Sequence, residues 1–186
     1  MIKKSLSKMF AAILAATLTL CTTVSAVDFT EYKTHTIDND DDNDEGIGYH
    51  NSRSGFDTWF QNSKLFYGDA RKHTCDSSFA EYVYYFPLYT RYTSIYGKIS
   101  AYLYNTSFTD PSATYGIGDT YTYYLALAGT INQDLAAAGW NEIGTAQTTH
   151  YFPDTKKYTS DCVKVIPSEE SGKNCGADAI KVVIGY

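Results

Sequence analysis

Residues 95–104 read Ile95-Tyr96-Gly97-Lys98-Ile99-Ser100-Ala101-Tyr102-Leu103-Tyr104. Ile95, Gly97, Ile99, Ala101 and Leu103 alternate with Tyr96, Lys98, Ser100, Tyr102 and Tyr104. That period of two belongs to a strand with one face in a core and the other turned away from it. The pattern repeats on both sides. In 79–88, Ala80, Tyr82, Tyr84, Phe86 and Leu88 share a face and Glu81 takes the other. Ala113, Tyr115 and Ile117 resume a strand, and 120–130 is a further apolar, Tyr-rich one. Residues 140–145 and 149–152 read as short strands. Residues 162–166 and 179–184 alternate again, with Lys164 and Lys181 pointing away from the Val and Ile faces. Residues 57–68, carrying Trp59, Phe60, Phe66 and Tyr67, are expected as a strand and turn near the domain edge. Only 133–139, with Leu135-Ala136-Ala137-Ala138, suits a helical turn. Short strands broken by Gly, Asn, Asp and Pro predict an all-β fold, an antiparallel sandwich or barrel. The 18 Tyr and 9 Phe against 2 Met agree, because tyrosine favours strands and tolerates half-exposed positions.

The N-terminus has a different grammar. Lys3, Lys4 and Lys8 precede an apolar run over 9–20, and Val24-Ser25-Ala26 supplies small residues at the −3 and −1 sites of a signal peptidase. The run is too short to span a bilayer. Residues 1–26 are therefore expected to be a secretory signal peptide, 27–36 a polar lead-in, and 37–186 one domain. A lipid-anchor signal would use Cys21, but Leu20 stands where such signals want a small side chain. Removing three of the 15 basic residues with the leader leaves 12 against 21 acidic, a net charge of −9. So acidic a chain argues against nucleic acid and anionic membranes as partners. The expected location is extracellular. In an oxidising compartment Cys75, Cys162 and Cys175 provide one disulfide and one spare thiol; spacing does not choose between Cys162–Cys175 and Cys75–Cys175.

Four segments carry a family likeness. They are Ile37-Asp38-Asn39-Asp40 with Ser54-Gly55-Phe56-Asp57-Thr58-Trp59; Phe66-Tyr67-Gly68-Asp69; Ile131-Asn132-Gln133 with Gly139-Trp140-Asn141-Glu142-Ile143-Gly144-Thr145; and Gly176-Ala177-Asp178-Ala179-Ile180-Lys181-Val182. In this order the chain resembles the golvesin C-terminal-type domains, also described as xanthan-lyase carbohydrate-binding-like domains, over residues 36–186. It departs from their pattern in the long Tyr-rich stretch 120–130, in Asn132 where Asp is usual, and in its cysteines. The resemblance implies a jelly-roll β-sandwich akin to galactose-binding and carbohydrate-binding modules. Such domains are accessories of secreted bacterial lyases, amidases and peptidases.

Candidate binding residues follow from side-chain chemistry. Trp59 and Trp140 offer flat faces for a pyranose ring, or serve as core anchors. Tyr96, Tyr102 and Tyr104 lie opposite the apolar face of 95–104, so the pleat aims them outward. Asp178, between two alanines, accepts sugar hydroxyls in one reading and backbone N–H groups of a neighbouring loop in the other. The acidic run 38–45 imitates the start of an EF-hand at Asp41, Asn43, Glu45 and Gly46, but Ser52 occupies the position of the bidentate Glu. A structural calcium ion at Asp38, Asp40, Asp42 and Asp44 and a solvated acidic loop are the two readings of that run. No other cofactor is expected. The chain lacks a G-x-S-x-G elbow and an H-E-x-x-H pair, and His35, His50, His73 and His150 are scattered. The expected function is a secreted, non-catalytic module that binds extracellular or cell-wall polysaccharide. A structural or protein-interaction domain of the bacterial surface is the first alternative, and a small secreted hydrolase or lyase the second.

Overall fold

The computed structural model describes residues 32–40, 50–76, 78–88, 94–104, 106–119, 125–149 and 159–185. The described residues form β1 (Tyr32–Ile37), β2 (His50–Ser54), β3 (Thr58–Gln61), β4 (Asp69–Thr74), β5 (Glu81–Leu88), β6 (Ser94–Leu103), β7 (Ala113–Asp119), β8 (Leu125–Ile131), β9 (Gly139–Thr149), β10 (Thr159–Ile166), β11 (Asn174–Ala177) and β12 (Ile180–Gly185). Sheet A has the order β1-β12-β6-β9, sheet B β2-β5-β10-β7-β8, and sheet C β11-β4-β3. Every pairing is antiparallel.

Sheets A and B are layered face to face as a sandwich. The apolar half of 95–104 does what its period predicts: Ile95, Ile99, Ala101 and Leu103 are buried, joined in sheet A by Ile37, Ile180, Val182 and Ile184. Sheet B contributes Tyr82, Tyr84, Phe86, Tyr115, Ile117, Val163 and Val165 to the same core. Burying each large apolar side chain stabilises the fold by about 1.5–3 kcal/mol. Gly97 lets the layers approach, because a Cβ there would collide with Ile117 Cδ1 from the opposite sheet. His35 crosses the same gap and stacks on Phe86 with ring centroids 5.5 Å apart.

At one side the sandwich closes on itself. The β6–β9 register slips between Ile99 and Ser100, leaving Ile143 as an extra residue, and the β7–β8 register slips between Tyr115 and Gly116, leaving Ala128. These two bulges meet. A Cβ on Gly129 would lie 2.8 Å from the Ile143 carbonyl oxygen, and one on Gly144 would collide with the Ala128 oxygen. Bulges twist both edge strands there and bring the edges of sheets A and B against each other.

Several expectations are corrected. Residues 32–36, assigned to a lead-in, belong to β1, whose polar sequence is held by pairing with β12. No helix forms over 133–139. These residues make turns, because the Gln133 side chain is drawn inward, where its carboxamide donates to the Gly176 carbonyl at 3.0 Å and accepts from the Gly176 N–H at 2.8 Å. The short strand expected over 140–145 is part of the 11-residue β9, which reaches Thr149. The signal peptide, Asp42 and Asp44, residues 120–124 and residues 150–152 lie outside the described residues. Among the described residues no helix is long and apolar enough to cross a membrane.

The meeting of the two bulges makes Gly144 sensitive. Gly144→Ala is expected to destabilise the protein by about 1–3 kcal/mol, the range for a forced overpacking. Urea unfolding checks this, and an unchanged midpoint would mean that the two edges are not in contact in solution.

Candidate functional site

The polar half of 95–104 is the starting point. Tyr96, Lys98, Ser100 and Tyr102 form the outer face of β6 and are half-buried or exposed. On one side β12 places Lys181 beside Ser100, and on the other β9 places Trp140 beside Tyr102. Lys98 pairs with Glu142 at 2.7 Å, an exposed contact of the kind that adds little stability.

At the Tyr102 end the face becomes aromatic. A 3-10 turn at Phe66–Gly68, between β3 and β4, lays Phe66 over the sheet. The rings of Phe66, Tyr102 and Trp140 stand pairwise 5.4–5.5 Å apart at 60°, 67° and 86°. This is the edge-to-face arrangement that aromatic quadrupoles favour. Tyr67 is 4.5 Å from Phe66 and is 85% exposed. Lys181 Nζ lies 4.6 Å from the Trp140 ring centroid, a cation–π contact. Rings, an ammonium group and hydroxyl-bearing side chains thus share one open surface.

The turn is held from below. The Phe66 N–H donates to both carboxyl oxygens of Asp178, at 3.1 and 3.2 Å, and the buried Leu65 plugs the turn into the core. Asp178 has 2% exposure, and its backbone carbonyl accepts the Tyr84 hydroxyl at 3.1 Å. Nearby, Asn39 Nδ2 donates to Asp69 Oδ1 at 2.8 Å, the Tyr82 hydroxyl donates to the Asn39 carbonyl, and Asp38 Oδ1 accepts the Asn39 N–H. Burial pushes the Asp178 carboxyl up to about 8, and the charges of Asp38 and Asp69 push the same way against the Phe66 N–H. Tyr67 itself has φ 47°, the left-handed region that a bulky residue avoids at about 1–2 kcal/mol.

The residues singled out from sequence are thus divided. Tyr102 and Trp140 meet in the aromatic corner, while Tyr96 lies on the same face toward the other end of β6. Tyr104 follows the end of β6 and packs against the core. Trp59 stands on β3 in sheet C, 40% exposed, with the Arg71 guanidinium 4.1 Å from its ring centroid. Asp178 is beneath the turn, closed to solvent. Asp38 is buried and Asp40 exposed. Among the described residues no three His, Cys, Asp or Glu side chains group in a way that could hold a metal ion. Sequence reasoning missed Phe66, Tyr67 and Lys181 as site residues. Their available signal was an aromatic pair before a glycine in a turn, and a lysine alternating outward in a Val/Ile strand.

No family model matches the chain, and no curated protein matches it in sequence. Solved structures do show similarity. A xanthan lyase from Paenibacillus is 15% identical with a TM-score of 0.46, over 81% of this chain and 13% of the lyase. An exo-β-1,3-galactanase from Phanerochaete chrysosporium is 10% identical with a TM-score of 0.43, over 82% of this chain and 29% of that enzyme. The mannan-recognising carbohydrate-binding module TmCBM27 is 9% identical with a TM-score of 0.42, over 84% of this chain and 99% of the module. The chain thus spans well under two thirds of both enzymes.

The buried titratable groups make stability depend on pH in opposite senses. Asp178 holds its proton in the folded state up to about 8 against 3.8 ordinarily, so its contribution is present at low pH and is lost as pH rises toward 8. His35 is pushed down to about 4 from 6.5 by burial and by Lys33, so its contribution grows as pH rises from 4 to 6.5. The two oppose each other below 6.5, and of this pair only Asp178 still acts from 6.5 to 8. Melting temperature is expected to fall over pH 6.5–8, and Asp178→Asn, which keeps an acceptor for Phe66, is expected to flatten that fall. An identical slope in both proteins would discard the assignment.

Proposed function

We propose that this protein is a secreted, non-catalytic module that binds extracellular or cell-wall polysaccharide through the aromatic corner on the outer face of sheet A. The observation carrying this reading is Tyr67. A tyrosine 85% exposed and held at φ 47° contributes nothing to the core and adds backbone strain. Strain of this kind persists where surrounding structure over-determines it, and it gathers at ligand sites. Phe66, Tyr102 and Trp140 provide that surrounding structure, and an exposed ring is suited to the C–H face of a pyranose. Lys181, Ser100, Lys98 and Glu142 add hydrogen-bonding groups for hydroxyls along the same face. The segments that resemble golvesin-type domains support the same reading, with a jelly-roll sandwich as the corresponding topology, since the turn and Asp178 that build the corner fall in them.

A glycan-array screen of the purified protein, with calcium and again with EDTA, tests the proposal. Binding to a defined polysaccharide is expected, and Tyr67→Gly is expected to weaken it about tenfold or more, as truncation of a contact hot spot does. The same substitution relieves the left-handed strain, so thermal stability should be unchanged or higher. Trp59→Ala, on another sheet, should bind as wild type. Loss of binding in EDTA would bring in a calcium site at the acidic run. A folded protein that binds no glycan would favour the protein-interaction reading.

A further inference from the structure

We infer that Cys75 and Cys175 are the disulfide pair of this protein when it folds in an oxidising medium, and that Cys162 stays a free thiol. In sheet C, Cys175 of β11 is paired with His73 of β4, and Asn174 with Thr74. The ladder runs one residue further, since the Cys75 N–H donates to the Lys173 carbonyl at 2.8 Å. Cys75 therefore sits opposite Lys173, the residue before β11 and two before Cys175, and the two side chains, which like Cys162 are free thiols in the structure, share a face as diagonal neighbours. The Cys75 thiol lies against the Cys175 N–H, and both thiols face the carboxyl of Asp110, with Cys75 Sγ 3.6 Å from Oδ2. Asp110 is fully buried and already accepts the N–H of Ser112 and of Ser168, each at 2.9 Å. Two thiols thus crowd a single carboxyl whose two oxygens are both engaged. Joining them removes two buried S–H groups from that competition.

Cys162 is elsewhere. It belongs to β10 in sheet B, alternating with the inward Val163 and Val165, and its thiol donates to the Gly118 carbonyl at 3.4 Å. Its neighbours Lys164 and Glu81 pair with each other on that side of the sheet. A bond from Cys162 to either other cysteine would have to leave the outer side of sheet B and reach sheet C. This is the discrimination that spacing along the chain does not make.

The chemistry is thiol–disulfide exchange with an external disulfide, such as oxidised glutathione or the disulfide of an oxidoreductase. One cysteine thiolate attacks the external disulfide, forming a mixed disulfide and releasing the first partner thiolate. The second cysteine thiolate attacks the protein sulfur of the mixed disulfide and expels the second. Two protein thiols give up two protons and two electrons, and the external disulfide is reduced to two thiols. Both cysteines are fully buried in the fold, and burial with the Asp110 charge pushes the Cys75 thiol up to about 11, so exchange belongs to folding and not to the finished protein. The bond closes a loop of about 100 residues, the long-loop case in which a cross-link constrains the unfolded chain most.

The full chain, unfolded in guanidinium and refolded with oxidised and reduced glutathione, is then denatured and alkylated without reduction, digested and mapped by mass spectrometry. The expected product is an intact chain lighter by two hydrogens, with a Cys75–Cys175 cross-linked peptide. Cys162 should be alkylated, as should Cys21 where the leader is retained. Its melting temperature should lie several degrees above that of protein refolded with reductant. Cys162→Ser should keep the cross-link, and Cys75→Ser and Cys175→Ser should each lose it. A cross-link containing Cys162, a stable glutathione adduct at Cys75 or Cys175, or alkylation of Cys75, Cys162 and Cys175 together after denaturation of the oxidised protein would each overturn the assignment.

Discussion

The passage from β11 to β12 is the constraint on which the rest depends. Within a few residues the chain leaves sheet C and enters sheet A, and strand pairing alone does not satisfy the backbone there. Side chains from elsewhere complete it. Gln133 bonds both the N–H and the carbonyl of Gly176, and its Nε2 also meets the Tyr115 hydroxyl at 2.9 Å. The Tyr84 hydroxyl bonds the Asp178 carbonyl, and beyond it the β6–β12 ladder takes over, the Tyr102 N–H donating to the Ala179 carbonyl at 2.9 Å. Each group is removed from water, and leaving one unsatisfied costs about 1–3 kcal/mol. Fully buried tyrosines and a fully buried glutamine are therefore parts of a polar junction inside an apolar core.

The candidate site inherits its geometry from that junction. Asp178 is fixed by the crossing, Phe66 is fixed by Asp178, and the ring of Phe66 comes to rest on Tyr102 and Trp140. Tyr67 is left outside with a backbone conformation it would not choose. The burial that makes Asp178 a good anchor also raises its carboxyl, so the support of the site and its electrostatic strain have one cause. Sheet C serves as the hinge plate of this arrangement, since β11 carries the crossing and β4 follows the turn.

Legibility differed by element for physical reasons. The strands with one apolar face, 95–104 above all, declare themselves because burial imposes a period of two on the residues themselves. β1, β2, β4 and β11 do not. Asp69–Thr74 reads Asp-Ala-Arg-Lys-His-Thr and His50–Ser54 is wholly polar, and such segments become strands because a partner offers them a ladder. The helical turn expected around Leu135-Ala136-Ala137-Ala138 failed because local propensity is worth tenths of a kcal/mol per residue. The buried bonds of Gln133 to Gly176 outweigh it.

The sequence by itself determined the all-β class, the inward and outward faces of the main strands, and the outward aim of Tyr96 and Tyr102. These are local consequences of alternation, and alternation is written in neighbouring residues. Only the tertiary structure decided which of those side chains belong together. It brought Phe66 and Tyr67 from a turn across to Tyr102, Trp140 and Lys181. It placed Asp178 beneath them, put Tyr104 against the core, and set Cys75 beside Cys175 and apart from Cys162. Contacts between residues as far as 112 positions apart depend on how three sheets cross. That crossing is set by the joint packing of all their faces, which no single stretch of the chain encodes.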